Sequence, residues 1–417
     1  MTDTSSLWHN PAYLRFWAAD TISVFGSLVT RVALPFTAIL ALDASAFEVS
    51  LLALADLVPS FVVGLPIGVW VDRLKRLPLM IAADLVRAAV LLSIPVAAWL
   101  DALTLGQLYA VSFLASALTV LFNVAQVSVL PSLVPRKDLL EANSKTSATQ
   151  SISEVGAFGI SGWLVQLLSG PGAILIDAIS FVASAILLKQ VKAQEALVEV
   201  EQRVGMRQEI LEGLQLVGSH PLLRAIALAS TALWFGLAIF GTLISLFALR
   251  ELGFDAGPLA MIFAVGGMSS LLGSVLVQPV TRRLGIGPAM IAGLAISGLL
   301  LMPLSVAQGA GLFAVACLVV QQLGDGATLV FMINEVTLRQ AIVSQRMIGR
   351  VNATNEFLRS LARLLGVLVA GLAGELLGLR VALALGGGIV IAGALFLSLT
   401  SLRSVKTLGA TPSEASG

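Results

Sequence analysis

The feature that most constrains the fold of this chain is an internal repeat whose two copies are built almost wholly of apolar spans. A single shift of 209 positions superimposes the two halves without insertion or deletion. The matched pairs are Arg15 and Arg224, Gly64 and Gly273, Arg73 and Arg282, Leu85 and Leu294, Asn143 and Asn352, and Gly162 and Gly371. Parallel repeats in an apolar chain of this length indicate two membrane-embedded bundles, which are typical of proteins that move solutes across a bilayer.

The composition agrees with a membrane protein. The chain has 417 residues, of which 57% are hydrophobic and 12% charged, and its mean hydropathy is +0.96. A soluble fold of this size would leave much of that apolar surface facing water. The apolar runs are continuous and about 20 residues long, so they predict helices and exclude the alternating strands of a membrane β-barrel.

We therefore predict an all-α membrane protein with twelve transmembrane helices in two six-helix bundles related by pseudo-two-fold symmetry. The predicted spans are 14–41, 49–71, 78–100, 105–130, 143–168, 171–188, 222–249, 257–279, 286–306, 311–338, 349–377 and 380–402. The predicted domains are an N-terminal bundle at 1–188, a cytoplasmic linker with amphipathic helix at 189–221, a C-terminal bundle at 222–402 and a disordered tail at 403–417.

The distribution of basic residues predicts the orientation in the membrane. Of the 25 Lys and Arg residues, 19 fall on one side, together with both ends of the chain, and four lie inside spans. Cytoplasmic loops carry the excess of basic residues, so we expect a multi-pass protein of the cell (inner or plasma) membrane with both termini in the cytoplasm.

The loop after the second span carries the most specific motif. Gly64 and Gly68 are four residues apart and permit close helix packing, while Asp72 lies at the membrane border next to Arg73 and Arg76. A carboxylate is stable there when it meets a cation or the N-terminus of a helix. This segment resembles the gating loop of the major facilitator superfamily, with Leu77 in place of that motif's last basic residue.

Further segments resemble the branch of that superfamily that contains macrolide efflux pumps and the enterobactin exporter. They are Leu130–Pro135, Glu141–Ser144, Thr337–Val343 and Gly349–Thr354, while the resemblance to the superfamily as a whole begins at Asn10–Trp17. The resemblance implies a secondary transporter in which Asp72 meets the start of the eleventh span. Members often carry Gly-Asp in the first span, whereas this chain has Gly26-Ser27.

Ionisable residues inside the apolar spans are the candidate functional groups, because such residues are costly in a bilayer and mark transport pathways. The candidates for proton coupling are Asp20, Asp56, Glu154 and Asp325, and the candidate substrate or gate cations are Arg31, Arg359 and Arg363. Asp84 and Arg87 are expected to form a local ion pair. Glu335, near the cytoplasmic end of its span, is expected to be solvated.

Three interpretations of these charges stay open: a salt-bridge network that closes the cytoplasmic side, proton coupling, and direct binding of an anionic substrate. The glycines Gly156, Gly159 and Gly162 resemble the superfamily's antiporter motif, although they also fit plain close packing in lipid.

The sequence carries no catalytic or nucleotide-binding motif, so we predict a non-enzyme without cofactor or metal. We expect efflux of an amphipathic small molecule in exchange for protons by a monomer in the lipid bilayer, and no nucleic-acid partner, since the net charge is only +1. The alternatives are an exporter of siderophores, lipids or metal complexes without strict proton exchange, and a non-transporting membrane scaffold or sensor.

Overall fold

The computed structural model describes residues 7–62, 74–135, 138–192, 206–344 and 347–406. Across these ranges the long elements are all α-helices, and no strand occurs in them. The helices are α1 (Pro11–Ala41), α2 (Ala46–Val62), α3 (Arg76–Trp99), α4 (Leu105–Leu133), α5 (Leu139–Lys189), α6 (Met206–Ser219), α7 (Pro221–Leu246), α8 (Ala256–Leu284), α9 (Ile286–Leu301), α10 (Leu312–Ile342), α11 (Ile348–Leu377) and α12 (Leu379–Ser398).

The helices agree closely with the predicted spans. Ten helical stretches of the described chain are long and apolar enough to cross a membrane. The predicted span 105–130 is α4, for example, and 349–377 is α11. The predicted all-α membrane fold is therefore confirmed. The spans could be predicted from the sequence because a helix must have about 20 apolar residues to cross a bilayer.

A kink divides α5 into two arms that correspond to the predicted spans 143–168 and 171–188. Ser169 has φ +67° and ψ 166°, which breaks the helical backbone. Pro171 follows two residues later and is suited to the first turn of a new helix, since it has no backbone N–H to donate. The second arm therefore leaves the kink as an independent helix.

The start of α1 is fixed by its capping residue. The Asn10 side chain accepts hydrogen bonds from the backbone N–H groups of Ala12 and Tyr13, each at 3.1 Å. The Asn10 Nδ2 also donates to the carbonyl of Leu133 at 2.9 Å, which ties α1 to the end of α4. One side chain thus satisfies two free donors of the first turn and joins two helices.

The chain divides into two compact units. Unit 1 comprises Met1–Ala44, Leu51–Glu201 and Asp255–Met261. Its main helix contacts join α1 to α5, α3 to α5, and α3 to α4. Unit 2 comprises Ser45–Ser50, Gln202–Phe254 and Ile262–Gly417, and its main contacts join α7 to α11 and α12, and α9 to α10 and α12.

Part of the segment predicted as a linker forms α6, which packs against α11 within unit 2. Gly213 lies against Thr354 and the carbonyl of Arg350. The Arg350 guanidinium forms an ion pair with Glu212. The absence of a side chain at Gly213 allows α6 to approach α11 at this point.

Candidate functional site

Each unit holds a group of charged side chains inside its helices. In unit 1, Arg87 of α3 is 1% exposed and pairs with Asp84 one turn earlier. Arg87 also donates to Thr119 at 3.2 Å, and its guanidinium carbon lies 4.0 Å from the ring centre of Phe181 and 4.6 Å from that of Phe122. A charge, a hydroxyl and two aromatic faces therefore fix the cation in place.

Two further carboxylates face this pair, and the four residues Asp20, Asp84, Arg87 and Asp177 are called the acidic cluster below. Asp177 is 1% exposed, and its Oδ1 accepts a hydrogen bond from Ser180 at 3.0 Å. It interacts electrostatically with both Arg87 and Asp84. Asp20 of α1 is 5% exposed and interacts with the same two residues.

The helix packing brings Asp177 into the cluster. A Cβ atom on Gly26 would collide with Ser180 Oγ and Asp177 Oδ1, and would lie 2.9 Å from the Cβ of Ser180. The glycine therefore lets the second arm of α5 approach α1 closely enough to bury the Asp177 carboxyl. A carboxyl from α5 thus lies directly against Gly26 of α1.

In unit 2 the central charge is Glu335 of α10, which is 0% exposed on its side chain. It forms ion pairs with Arg339, at 2.7 Å, and with Arg359 of α11. The Nε of Arg359 donates to Ser230 Oγ of α7 at 3.1 Å. One buried carboxylate thus joins two guanidinium groups, and through them three helices.

This ion network continues along α11. Arg363 pairs with Glu356 at 2.8 Å, and its guanidinium carbon lies 5.0 Å from the ring centre of Trp234 on α7. Arg359 lies 3.8 Å from the same Glu356. Glu335 and Glu356 therefore offset the repulsion between the two cations on α11.

The expectation that Glu335 is solvated is wrong. Its position near the end of a span suggested access to water, but α10 runs to Ile342 and α11 covers this face. The anion that Arg359 requires is thus supplied by the neighbouring helix.

The predicted pair Asp84–Arg87 forms, whereas the other predicted charges have varied surroundings. Asp56 is exposed on α2 and interacts electrostatically with Arg31, which is exposed on α1. Glu154 is exposed on the first arm of α5. Asp325 is half-buried on α10, and its carboxyl lies directly over Gly266 of α8.

Most of the predicted gating motif, namely Gly64, Gly68, Asp72 and Arg73, lies outside the described residues. Arg76 is buried at the first turn of α3. Among the antiporter-like glycines, Gly162 packs within unit 1 against Ala260 and the carbonyl of Ala256, whereas a Cβ on Gly156 would meet open space. Gly159 is half-buried.

Sequence reasoning did not single out Asp177, which the structure places among the buried charges. The available signal was a lone carboxylate within an otherwise apolar run from 170 to 189, the same signal that identified the other candidates. The part of the chain that the structure describes contains no group of His, Cys, Asp and Glu side chains arranged to hold a metal ion.

A multi-spanning helical fold with ion pairs and unpaired carboxylates inside its spans defines a class of protein, the solute transporters of membranes. Residues 16–367 match the model of the Major Facilitator Superfamily, so the chain belongs to this family of transporters and is not an enzyme.

Named relatives agree with the resemblance to macrolide efflux pumps. The chain is 26% identical over 397 residues to Macrolide efflux protein A of Streptococcus pyogenes, covering 91% of this chain and 93% of the relative. It is also 26% identical over 422 residues to the multidrug efflux pump Tap of Mycolicibacterium fortuitum, covering 97% and 98%.

Solved structures show the same fold. The nucleoside transporter NupG aligns with a TM-score of 0.73 at 13% identity, covering 93% of this chain and 98% of that one. A bacterial homologue of the iron transporter ferroportin, in an inward-facing state, aligns with a TM-score of 0.72 at 18% identity, covering 94% and 100%. At these identities the likeness concerns the fold alone.

Proposed function

We propose that the chain is a proton-coupled antiporter that exports amphipathic small molecules, macrolides among them, by alternating access. The observation that carries the proposal is the charge buried in helices that cross a membrane, above all Glu335 with its two arginines. Relatives named for macrolide and multidrug efflux support the substrate class and the outward direction.

The physical reason lies in what protons do to such groups. An ion pair in a low-dielectric interior holds its helices together, and a proton on the carboxylate removes most of that attraction. Two conformations that differ in this attraction therefore differ in proton affinity, so a proton gradient shifts their populations. The absence of a nucleotide-binding motif in the sequence agrees with a gradient as the energy source.

Within this proposal the embedded carboxylates Asp20 and Asp325 are candidate proton-binding groups, and the exposed Asp56 and Glu154 are candidates for proton exchange with water. Arg359 and Arg363 act as gate cations, because both already hold carboxylate partners. Arg31 is exposed and supplies a cation for an anionic part of a substrate. The loop with Gly64, Gly68, Asp72, Arg73 and Arg76 gates the cycle, and Gly156, Gly159 and Gly162 let α5 slide.

The test uses purified protein in liposomes with an acidic lumen. Labelled erythromycin serves as the macrolide probe, and tetraphenylphosphonium serves as a permanently charged probe that cannot be trapped by protonation. Valinomycin with equal potassium on both sides clamps the membrane potential. We expect accumulation of at least one probe that requires both the protein and the pH gradient.

Protein-free liposomes and a protonophore are the controls, since erythromycin is a weak base and collects passively in an acidic lumen. Probe movement that depends on the protein but not on the pH gradient would contradict proton coupling. It would favour the alternative of an exporter without strict proton exchange. Absence of protein-dependent movement of either probe would contradict the substrate class.

We further propose that the protein acts as a monomer in the cell (inner or plasma) membrane, with both termini in the cytoplasm. It has two six-helix bundles at 1–188 and 222–402, joined by a linker at 189–221 and followed by a tail at 403–417. Light scattering of the detergent-solubilised protein measures the mass of the oligomer, and a mass of two or more chains would contradict the monomer.

A further inference from the structure

We propose that Asp177 binds the proton that is exchanged during transport, and that Arg87, held by Asp84, is the cation it faces when ionised. The inference rests on the proposed function of proton-coupled antiport and specifies where the proton binds. Asp177 was not among the carboxylates that the sequence singled out.

The charges of the acidic cluster do not balance. Three carboxylates, those of Asp20, Asp84 and Asp177, surround the single guanidinium of Arg87. All four residues are nine-tenths or more buried, and three of them are 1% exposed or less. Full ionisation would leave a net negative charge inside the bilayer, which a bound proton reduces at small steric cost.

Asp177 and Asp84 both lie near Arg87, and only one of them forms a direct ion pair with it. Asp84 forms the direct ion pair with the guanidinium and keeps it. Phe181, one turn after Asp177 on the same arm of α5, has its ring centre 4.0 Å from the guanidinium carbon of Arg87, so this stretch of α5 lies beside the cation. The residues of α4 that contact Arg87 are Thr119 and Phe122, and neither carries a charge.

Unpaired polar atoms point into the same cluster. Within the described chain, no protein group hydrogen-bonds to Asp20 Oδ1 or to Arg87 Nε, although both atoms are buried. Buried acceptors and donors are nearly always satisfied, so an acceptor such as Asp20 Oδ1 near the Asp84 carboxyl favours a cluster that binds a proton. The cluster is not arranged to hold a metal ion, because no such group of ligands occurs in the described residues.

The location gives the proton a mechanical effect. Asp177 belongs to the second arm of α5, beyond the break at Ser169, and it faces a pair fixed on α3. Ionised Asp177 attracts Arg87, and the neutral acid does not. Loading and release of one proton therefore change the attraction between α5 and α3 inside unit 1.

The experiment compares two kinds of transport in liposomes for wild-type protein and for Asp177→Asn. The first is accumulation of tetraphenylphosphonium driven by a pH gradient at clamped potential. One proton exchanged per molecule drives accumulation of up to about tenfold per pH unit. The second is counterflow, in which unlabelled probe inside exchanges with labelled probe outside at equal pH and no net proton movement is needed.

We expect Asp177→Asn to lose gradient-driven accumulation, with a ratio near one, and to retain counterflow. Asp177→Glu should restore accumulation, since it keeps a titratable group. The matched control Asp101→Asn removes a carboxylate at an exposed loop and should behave as wild type in both assays.

Each remaining outcome counts against a stated claim. If the wild type itself accumulates no probe, the proposed function fails. If the wild type accumulates probe and Asp177→Asn does so equally, the proton site is elsewhere. Asp177→Asn and Asp177→Glu could both lose accumulation and counterflow while thermal unfolding shows that they are folded. That result would make the residue structural and overturn the inference. Accumulation driven by a sodium gradient at equal pH, in place of the proton gradient, would overturn it as well.

Discussion

At the scale of single residues, the function of a charge is decided by how many partners it has. Glu335 is fully buried and forms ion pairs with both Arg339 and Arg359. The acidic cluster has the opposite ratio, because its single cation, Arg87, interacts with three carboxylates. In the first arrangement every cation has a carboxylate partner, and a proton on Glu335 weakens the links among three helices. The second leaves charge uncompensated, and so it responds to protons.

Glu335→Gln should destabilise unit 2 and stop transport. The substitution keeps the shape of the side chain but removes the anion between Arg339 and Arg359 and leaves Arg359 only the more distant Glu356, a loss of about 3–5 kcal/mol for a buried pair. Thermal unfolding in detergent measures the first effect, and counterflow of the probe measures the second. The expected result is a lower unfolding temperature together with loss of counterflow.

The double variant Glu335→Gln with Arg359→Met is the control for this prediction. It removes one of the stranded cations, so its unfolding temperature should lie above that of Glu335→Gln alone. Arg359→Met alone completes the comparison. If the destabilisation of the double variant equals the sum of those of the two single variants, the two residues do not interact, which would contradict the ion network.

At the scale of helices, the sequence predicted what depends on length and apolarity. The bounds of α4 and α11 follow from where continuous apolar runs begin and end. The kink in α5 was anticipated by a boundary between two predicted spans near Pro171. The charge clusters were harder to predict, since they depend on which faces of separate helices meet. Gly26, for example, offered no sign that Asp177 would pack against it.

Gly26→Leu should disrupt the contact between α1 and the second arm of α5. Even a Cβ atom at this position would collide with Ser180 Oγ and Asp177 Oδ1. Inserting a larger side chain into a packed interior costs about 1–3 kcal/mol, so we expect a lower unfolding temperature in detergent. Displacement of Asp177 should also lower gradient-driven accumulation more than counterflow.

Gly241→Leu is the matched control, because this glycine is also inside a helix but a Cβ there would meet nothing within 4 Å. The exposed position should accept leucine with unchanged or higher stability. Equal destabilisation by both substitutions would contradict a specific role for Gly26 in helix packing.

At the scale of the whole molecule, the repeat preserves the scaffold while the charges diverge. The shift of 209 positions places Gly293, Ile296 and Gly386 opposite the charged residues Asp84, Arg87 and Asp177. In the same way, Glu335 corresponds to Gln126 and Arg359 to Gln150. The acidic cluster and the ion network therefore do not correspond to each other under the repeat. The residues at the centre of each group thus have no charged counterpart in the other half.

The repeat and the distribution of basic residues together predict the topology, which labelling can test. Cys317 is the single cysteine and is 4% exposed, so the native chain gives little background. Ala310→Cys, between α9 and α10, should react with an impermeant maleimide in intact cells. Ser404→Cys, beyond α12, should react only after permeabilisation, because we place it in the cytoplasm with the basic loops.

Both sites are exposed in the structure, so a difference in reactivity reports the side of the membrane and not burial. Reaction of Ser404→Cys in intact cells, or protection of Ala310→Cys, would reverse the predicted orientation, and with it the outward direction of transport.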